Sequence, residues 1–398
     1  MDHPFLQYTR AVGLRTVGVE EELLIVDPVT GSPVPRGERV LAAWSSLGRR
    51  GAGAEGRPEL VAEVQQEQVE LVGPPLSSLE DIEAVIRSGR ARLDEAALAA
   101  GVRAVPLATS PVPVSPHLTE EVRYGHMAER FALTLAQQLT CGYHVHVAVS
   151  GAEEGVAVLD RIRPWLPLIL ALSANSPFWD GQDSGFSSYR YQAWCRWPSS
   201  GPTPLFGSAA AYREHVASML RSGVLLDAGM VYFDARLSER HPTVEVRVAD
   251  VCQDPAEAAV LAVLVRALVE TASRQWQAAA PAPGIPAEML RLWMWQASRY
   301  GVEGELIDPT LGTPRPAGDA FAALLALVGP VLDETGERAA AEDTVAAVLR
   351  GGSGARRQRR ARLAHGSPAG AVQDAMRRSP QRRDPEPGPL PGLESGAS

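Results

Sequence analysis

Strand-like alternation and helical spacing divide this chain into readable segments. In TVGVEEELLIV (residues 16–26) β-branched and apolar positions interleave with glutamates, and Asp27-Pro28 followed by Thr30-Gly31 marks a turn, so the segment predicts a strand. TCGYHVHVAV (140–149) and TVEVRV (243–248) alternate in the same way and predict two more, with a shorter one over 102–107. Residues 76–100 open on Ser77-Ser78 and stop at Gly101, the punctuation of a capped helix. Helical spacing recurs over 124–138, over 156–174 with interruptions at Pro164 and Pro167, and over 254–277.

Between Asn175 and Ser208 the pattern lapses into Gly, Pro, Ser and aromatic residues, which predicts a long loop of the kind that carries function. The three prolines in 280–286 form a connection, because helical spacing resumes at Ala287. Beyond Gly351 an arginine-rich run, ARRQRRARLA, predicts a solvated helix, and the Pro, Gly, Ser and Arg residues after it have too little apolar surface to pack. The expected organisation is one α+β domain over residues 1–366 and a disordered tail over 367–398.

Composition narrows the chemistry. The chain has 398 residues, 45% of them hydrophobic and 21% charged, with a net charge of −9, which disfavours nucleic acid and anionic lipid as partners. No stretch is long and apolar enough for a bilayer span, and no signal-peptide order is present, so a cytoplasmic protein is expected. Cys141, Cys195 and Cys252 are odd in number and widely spaced, which fits buried free thiols. All 38 basic residues are arginine. Walker-type lysine loops and Schiff-base lysines are thereby excluded, and any phosphate must be met by arginine and metal ions.

Four groups of residues could carry chemistry. Glu20 and Glu22 share one strand face about 7 Å apart, a costly pairing if buried without cations. A solvated strand face is the plainer alternative. His144 and His146 repeat the spacing, as metal ligands or as hydrogen-bonded core imidazoles. Glu245 and Arg247 alternate with Val244, Val246 and Val248, with Ala249 expected on their side, and form either an exposed ion pair or a metal ligand beside a phosphate clamp. Glu59, Glu63, Glu67 and Glu70 fit one helix face, or else QVELV is a strand and only Glu63 and Glu70 look inward.

These residues lie in an ordered set of motifs: GVEEE (18–22), QVELV (68–72), GYHVHV (142–147), NSPFW (175–179), SSYR ending at Arg190, TVEVRVADV (243–251) and RYGVEG (299–304). With this set the chain resembles the glutamate–cysteine ligase type 2 family, the carboxylate–amine ligases, from Gly18 to about residue 345. The resemblance implies an α+β, glutamine synthetase-like fold whose curved, mostly antiparallel sheet cups ATP and its metals. It implies Glu20, Glu22, Glu70, His144 and Glu245 as magnesium ligands, manganese being an alternative ion, with Glu63 a weaker candidate. Arg247 would meet the transferred phosphate beside Glu245, and Arg190 and Arg236 would bind nucleotide phosphate or substrate. The implied reaction joins a small carboxylate to an amine through an acyl phosphate, L-glutamate and L-cysteine being the family's label, with a homo-oligomer an open option. A metal-dependent hydrolase built on His144 and His146 is the competing reading. One departure is ATSPVP (108–113), with Ser110 where many relatives carry histidine.

Overall fold

The structure is a computed structural model that describes residues 14–48 and 57–378. Its centre is a seven-stranded sheet. The strands are β1 (Val17–Val26), β2 (Glu59–Ala62), β3 (Gln68–Val72), β4 (Arg103–Val105), β5 (Gly142–Ala148), β8 (Ala235–Leu237) and β9 (Thr243–Asp250), while β6 (Phe178–Trp179) and β7 (Gln182–Asp183) form a separate small hairpin. Across the sheet the order is β2-β3-β1-β5-β9-β8, with β4 pairing the end of β1, and every pairing is antiparallel.

The helices are α1 (Gly37–Gly48), α2 (Leu79–Ala99), α3 (Val122–Phe131), α4 (Leu133–Ala136), α5 (Ala152–Ile162), α6 (Leu166–Ser173), α7 (Tyr189–Trp194), α8 (Ala209–Arg221) and α9 (Pro255–Gln277). They continue with α10 (Ala287–Tyr300), α11 (Ala317–Thr335), α12 (Arg338–Gly351), α13 (Gly354–His365) and α14 (Ala369–Arg378). Among the described residues, no helix is long and apolar enough to cross a membrane.

Strand alternation gives the sheet two unlike faces. On the packed face Val17, Val19, Val145, Val147, Val244 and Val246 join α5, α6 and α9 in the main apolar core. Glu21 lies on this face too, 2% exposed, and its carboxylate is gripped by Arg90 of α2 at 2.5 and 3.0 Å. Arg90 also donates to the carbonyls of Cys252 and Gln253, so its guanidinium is fully engaged although buried. The opposite, acidic face carries Glu20 and Glu22.

Past Leu23 both faces of β1 become apolar, and both need cover. Leu23 and Ile25 pack with α1 and α2, whereas Leu24 and Val26 pack with Val105, Leu107 and Val372, Ala375 and Met376 of α14. The expectation of disorder from residue 367 is therefore wrong for 369–378: a few apolar side chains at helical spacing suffice because a strand end awaits them. Residues 379–398 of that expected tail lie outside the described residues. The arginine-rich run is helical, as expected, but it is docked rather than merely solvated, with Gln358 and Ala361 buried.

Other differences have local causes. Ala132, at φ +45°, splits the helix expected over 124–138 into α3 and α4. The long apolar helix starts at Ala152 and breaks into α5, a 3-10 turn at Arg163–Trp165, and α6, because Pro164 and Pro167 each begin a new helical segment where their missing N–H costs nothing. The stretch from Asn175 to Ser208 contains β6, β7 and α7, so it is not structureless.

Two outcomes follow from this packing. Glu21→Gln leaves Arg90 buried without its charge partner and should cost about 3–5 kcal/mol, read as a lower urea midpoint, while Glu22→Gln should alter stability far less; equal midpoints for the two would refute the face assignment. Truncation after Gly366 strips Val372 and Met376 from β1 and should cost on the order of 3 kcal/mol. An unchanged melting temperature would show that α14 does not cover β1.

Candidate active site

Register assembles the acidic face from five strands. Glu22 stands opposite Glu70, Glu20 opposite His144, His146 opposite Glu245, and Glu245 opposite Arg236. Glu63, just beyond β2, joins them from the side. Glu67 does not: it is buried elsewhere, accepting bonds from the His117 amide at 2.9 Å and from the ring Nδ1. Glu59 is exposed at the sheet edge. The strand reading of QVELV is thus the right one, with Glu63 and Glu70 the inward pair.

A bulge shapes the other half of the site. Tyr143 pairs with Ala249 but Val145 pairs with Val246, so Arg247 and Val248 together oppose the single residue His144. The bulge shifts the alternation of β9 by one. Ala249, expected beside Glu245 and Arg247, instead joins the apolar core, and Asp250 comes round opposite Gly142. Gly142 is itself a fitted position: its amide donates to Glu22 Oε2 at 2.6 Å, and a Cβ there would collide with the Arg190 guanidinium.

The charges are unevenly matched. His144 Nδ1 lies 3.2 Å from Glu20 Oε2, and His146 Nε2 lies 3.3 Å from Glu20 Oε1. Burial alone pushes the Glu20 carboxyl up, but the two imidazoles outweigh it and hold that group well below the usual carboxylate range. Burial likewise acts on Glu245 and is overcome by Arg247 and Arg236, which hold it low. Arg236 grips Glu245 at 2.7 and 3.2 Å and also donates to the Gly229 and Val231 carbonyls. Its guanidinium therefore holds Glu245 in place, as that of Arg247 also does.

Glu63 and Glu70 form no ion pair among the described residues, and Arg247 offsets their burial only in part. Burial and the neighbouring Glu22 push Glu63 up to about 8, and burial with Glu63, Glu20 and Glu22 pushes Glu70 well above its ordinary value. At 4.8 Å two carboxylates repel by about 3 kcal/mol at an effective dielectric constant near 20. The deficit of positive charge lies where ligand atoms converge: Glu20, His146 and Glu245; Glu20, Glu70 and His144; and Glu22, Glu63 and Glu70 each approach within 4.8 Å. Oxygen-rich sets of this kind suit hard divalent cations. On the cationic side, Arg190 and Arg247 are both buried, and among the described residues the Nε of each has no hydrogen-bond partner, a donor left over for an anion.

Every residue expected at the site is therefore near it, with Arg236 in a supporting part. Sequence reading left His146 out of the ligand set although its His-x-His spacing announced it, and nothing local revealed that it would face Glu245. It also missed Gly142, Asp250 and the hydroxyls of Ser176 and Ser188 that bond Asp250 at 2.7 and 2.9 Å.

A family model described as glutamate-cysteine ligase family 2 matches residues 16–378. A protein of Paenarthrobacter aurescens (strain TC1) named "Putative glutamate--cysteine ligase 2-1" is 47% identical over 350 residues, covering 88% of this chain and 91% of the relative. A Streptomyces avermitilis protein of the same name is 46% identical over 366 residues, covering 92% of this chain and 99% of the relative. Among solved structures, glutamate–cysteine ligase from Francisella tularensis in complex with AMP is similar at a TM-score of 0.66 and 14% identity, over 92% of this chain and 88% of that one. The bifunctional glutathione synthetase from Pasteurella multocida also gives 0.66, at 16% identity, over 92% of this chain and 52% of that one. At such identities the likeness is one of fold, and it matches the sheet-and-helix architecture expected from the sequence.

The chain is accordingly an ATP-dependent ligase that forms carbon–nitrogen bonds between carboxylates and amines. It belongs to glutamate-cysteine ligase family 2. The hydrolase alternative finds no support, since carboxylates dominate the cluster and the family is one of ligases.

The raised carboxyls give the site a pH signature. Glu63 has an ordinary value of 4.5 and is pushed to about 8 in the folded chain, so the folded state holds a proton that the unfolded state releases. Without metal, stability should fall as pH rises through that window, and magnesium, by replacing the proton, should flatten the fall. Melting temperatures measured across the window in EDTA and in magnesium check this; parallel curves would contradict it.

Proposed function

We propose that this enzyme activates a small carboxylate as an acyl phosphate using ATP and transfers the acyl group to an amine, with L-glutamate and L-cysteine as the first pair to test. The observation that supports this reading is the gathering of Glu20, Glu22, Glu63, Glu70, His144, His146 and Glu245 from distant segments onto one half-buried sheet face beside Arg190 and Arg247. Amide formation from a free carboxylate in water is uphill, which is why the substrate oxygen must first displace ADP from the γ-phosphorus and the amine must then displace phosphate.

Magnesium or manganese would be held by Glu20, Glu22, Glu63, Glu70, His144, His146 and Glu245, and ATP with these ions supplies a charge-neutralised phosphoryl donor. The protein's own groups do the rest. His144 and His146 keep Glu20 ionised as a ligand, and Arg236 does the same for Glu245. Arg247 carries a buried, permanently charged fork beside Glu245, positioned for the oxygens of the transferring phosphoryl group. Arg190, admitted by the missing side chain of Gly142, adds a second cation on the Glu22 side, assigned to phosphate or to the substrate carboxylate. Burial of these groups strengthens each attraction by keeping water away.

Arg247→Ala should lower ATP-dependent amide formation about 10²–10³-fold, and Glu20→Ala and Glu245→Ala by similar factors, with the fold retained. Purified protein given magnesium, ATP and panels of acids and amines, with ADP release followed and products weighed, tests both chemistry and substrates. Near-native turnover in Arg247→Ala would remove it from the phosphoryl site.

A further inference from the structure

The arginine-rich helix α13 reaches the active site through one side chain. Asn175, 1% exposed, ends the chain's passage from α6 and is saturated with hydrogen bonds. Its Nδ2 donates to the carbonyls of Pro106 at 2.9 Å and Val251 at 2.8 Å, and its Oδ1 accepts from Gln253 at 2.9 Å and Gln358 at 2.7 Å. Gln358 also donates to the Asn175 carbonyl at 2.6 Å, and a Cβ on Gly354 would collide with Asn175 Oδ1, so α13 sits as close to this residue as a helix can.

From Asn175 the bonds run on to the site. The Asn175 amide donates to Asp250 Oδ2 at 2.8 Å, Ser176 Oγ donates to the same oxygen at 2.7 Å, and Ser188 Oγ donates to Oδ1 at 2.9 Å. Ser176 Oγ in turn accepts from the Arg190 amide at 3.0 Å. The Arg190 guanidinium, lying over Gly142, has weak anchors of its own: carbonyls of Arg247 and Val248 at 3.3 Å and Asp250 Oδ1 at 3.8 Å. Asp250, fully buried, is the only carboxylate with which Arg190 forms an ion pair among the described residues. Asp250 is thus the charged group that biases where Arg190 points, and Asn175, itself held by two glutamines, joins Ser176 and Ser188 in setting where Asp250 points.

We propose that Gln358 is a positioning residue for the ligase reaction: by holding Asn175 it fixes Asp250, and through Asp250 it fixes the guanidinium of Arg190 over Gly142. The helix that the composition presents as a solvated basic surface is thereby part of the machinery that orders the site. This inference rests on the reading of Arg190 as a phosphate- or substrate-binding group.

The test is a double-mutant cycle of Gln358→Met and Arg190→Ala, followed by ADP release with magnesium, ATP, L-glutamate and L-cysteine, together with a crystal structure of the Gln358→Met protein. Methionine keeps the buried volume and removes the amide, whose Nε2 makes both bonds to Asn175 and whose Oε1 has no hydrogen-bond partner among the described residues. Gln358→Met should lower kcat/KM about tenfold in the native background and leave it unchanged in the Arg190→Ala background, and in the crystal the guanidinium should leave its place over Gly142. If Gln358→Met does not fold, Gln358→Leu, which also removes the amide, takes its place in the cycle and in the crystal. Equal losses in both backgrounds, or an unmoved guanidinium, would overturn the positioning role while leaving the proposed reaction standing. Native turnover in Arg190→Ala alone would overturn both the role of Arg190 and this inference. A native chain that releases no ADP would count against the proposed substrates, and the crystal would still decide where Gln358 acts.

Discussion

Like charges crowded on one sheet face govern this molecule. Glu22, Glu63 and Glu70 approach one another within 4.8 Å in a half-buried setting, and side-chain cations alone do not compensate them. Without metal a proton retained on Glu63 relieves part of the repulsion, and the antiparallel ladder bears the rest by fixing Glu22 and Glu70 from their backbones, with Glu63 beside them just beyond β2. The arrangement is locally unfavourable and chemically useful for the same reason: a site short of positive charge is one that binds cations, and through them polyphosphate.

Charge on the other face is handled in the opposite way. Glu21 neighbours Glu20 and Glu22 in sequence, yet it is closed off in a bidentate pair with Arg90 that has no charge left over. A single strand thus contains a neutralised carboxylate and two poised ones, separated only by which way the pleat turns them. The bulge in β9 makes a second such separation, setting Arg247 toward the acidic face and returning Asp250 to it three residues later.

Much of this was legible in the residues. The strands β1, β4, β5 and β9, the capped helix after Ser78 and the family motifs show as period or composition, whereas β2 and β8 are too short to show and the direction of the acidic pairs stays open between solvent and interior. What stayed hidden depends on partners distant in sequence. The bulge cannot be seen in TVEVRVAD, because it is defined by the strand opposite. His146 becomes a candidate ligand only once Glu245 is placed across from it. Val372 and Met376 gave too faint an apolar signal to predict order, yet the run LLIV at the end of β1, apolar on both sides, already implied that some element must cover each side. Gln358 sits in a run of arginines, and composition there masks a polar residue that turns inward.

The cover of β1 by α14 has a consequence for synthesis. The helix that shields Leu24 and Val26 is synthesised about 350 residues after the strand that carries them. A nascent chain must therefore carry an adhesive, incompletely sheathed strand through all of that interval, the condition under which chaperones are engaged. Maturation of this enzyme is in that sense the late sheathing of a strand made long before its cover.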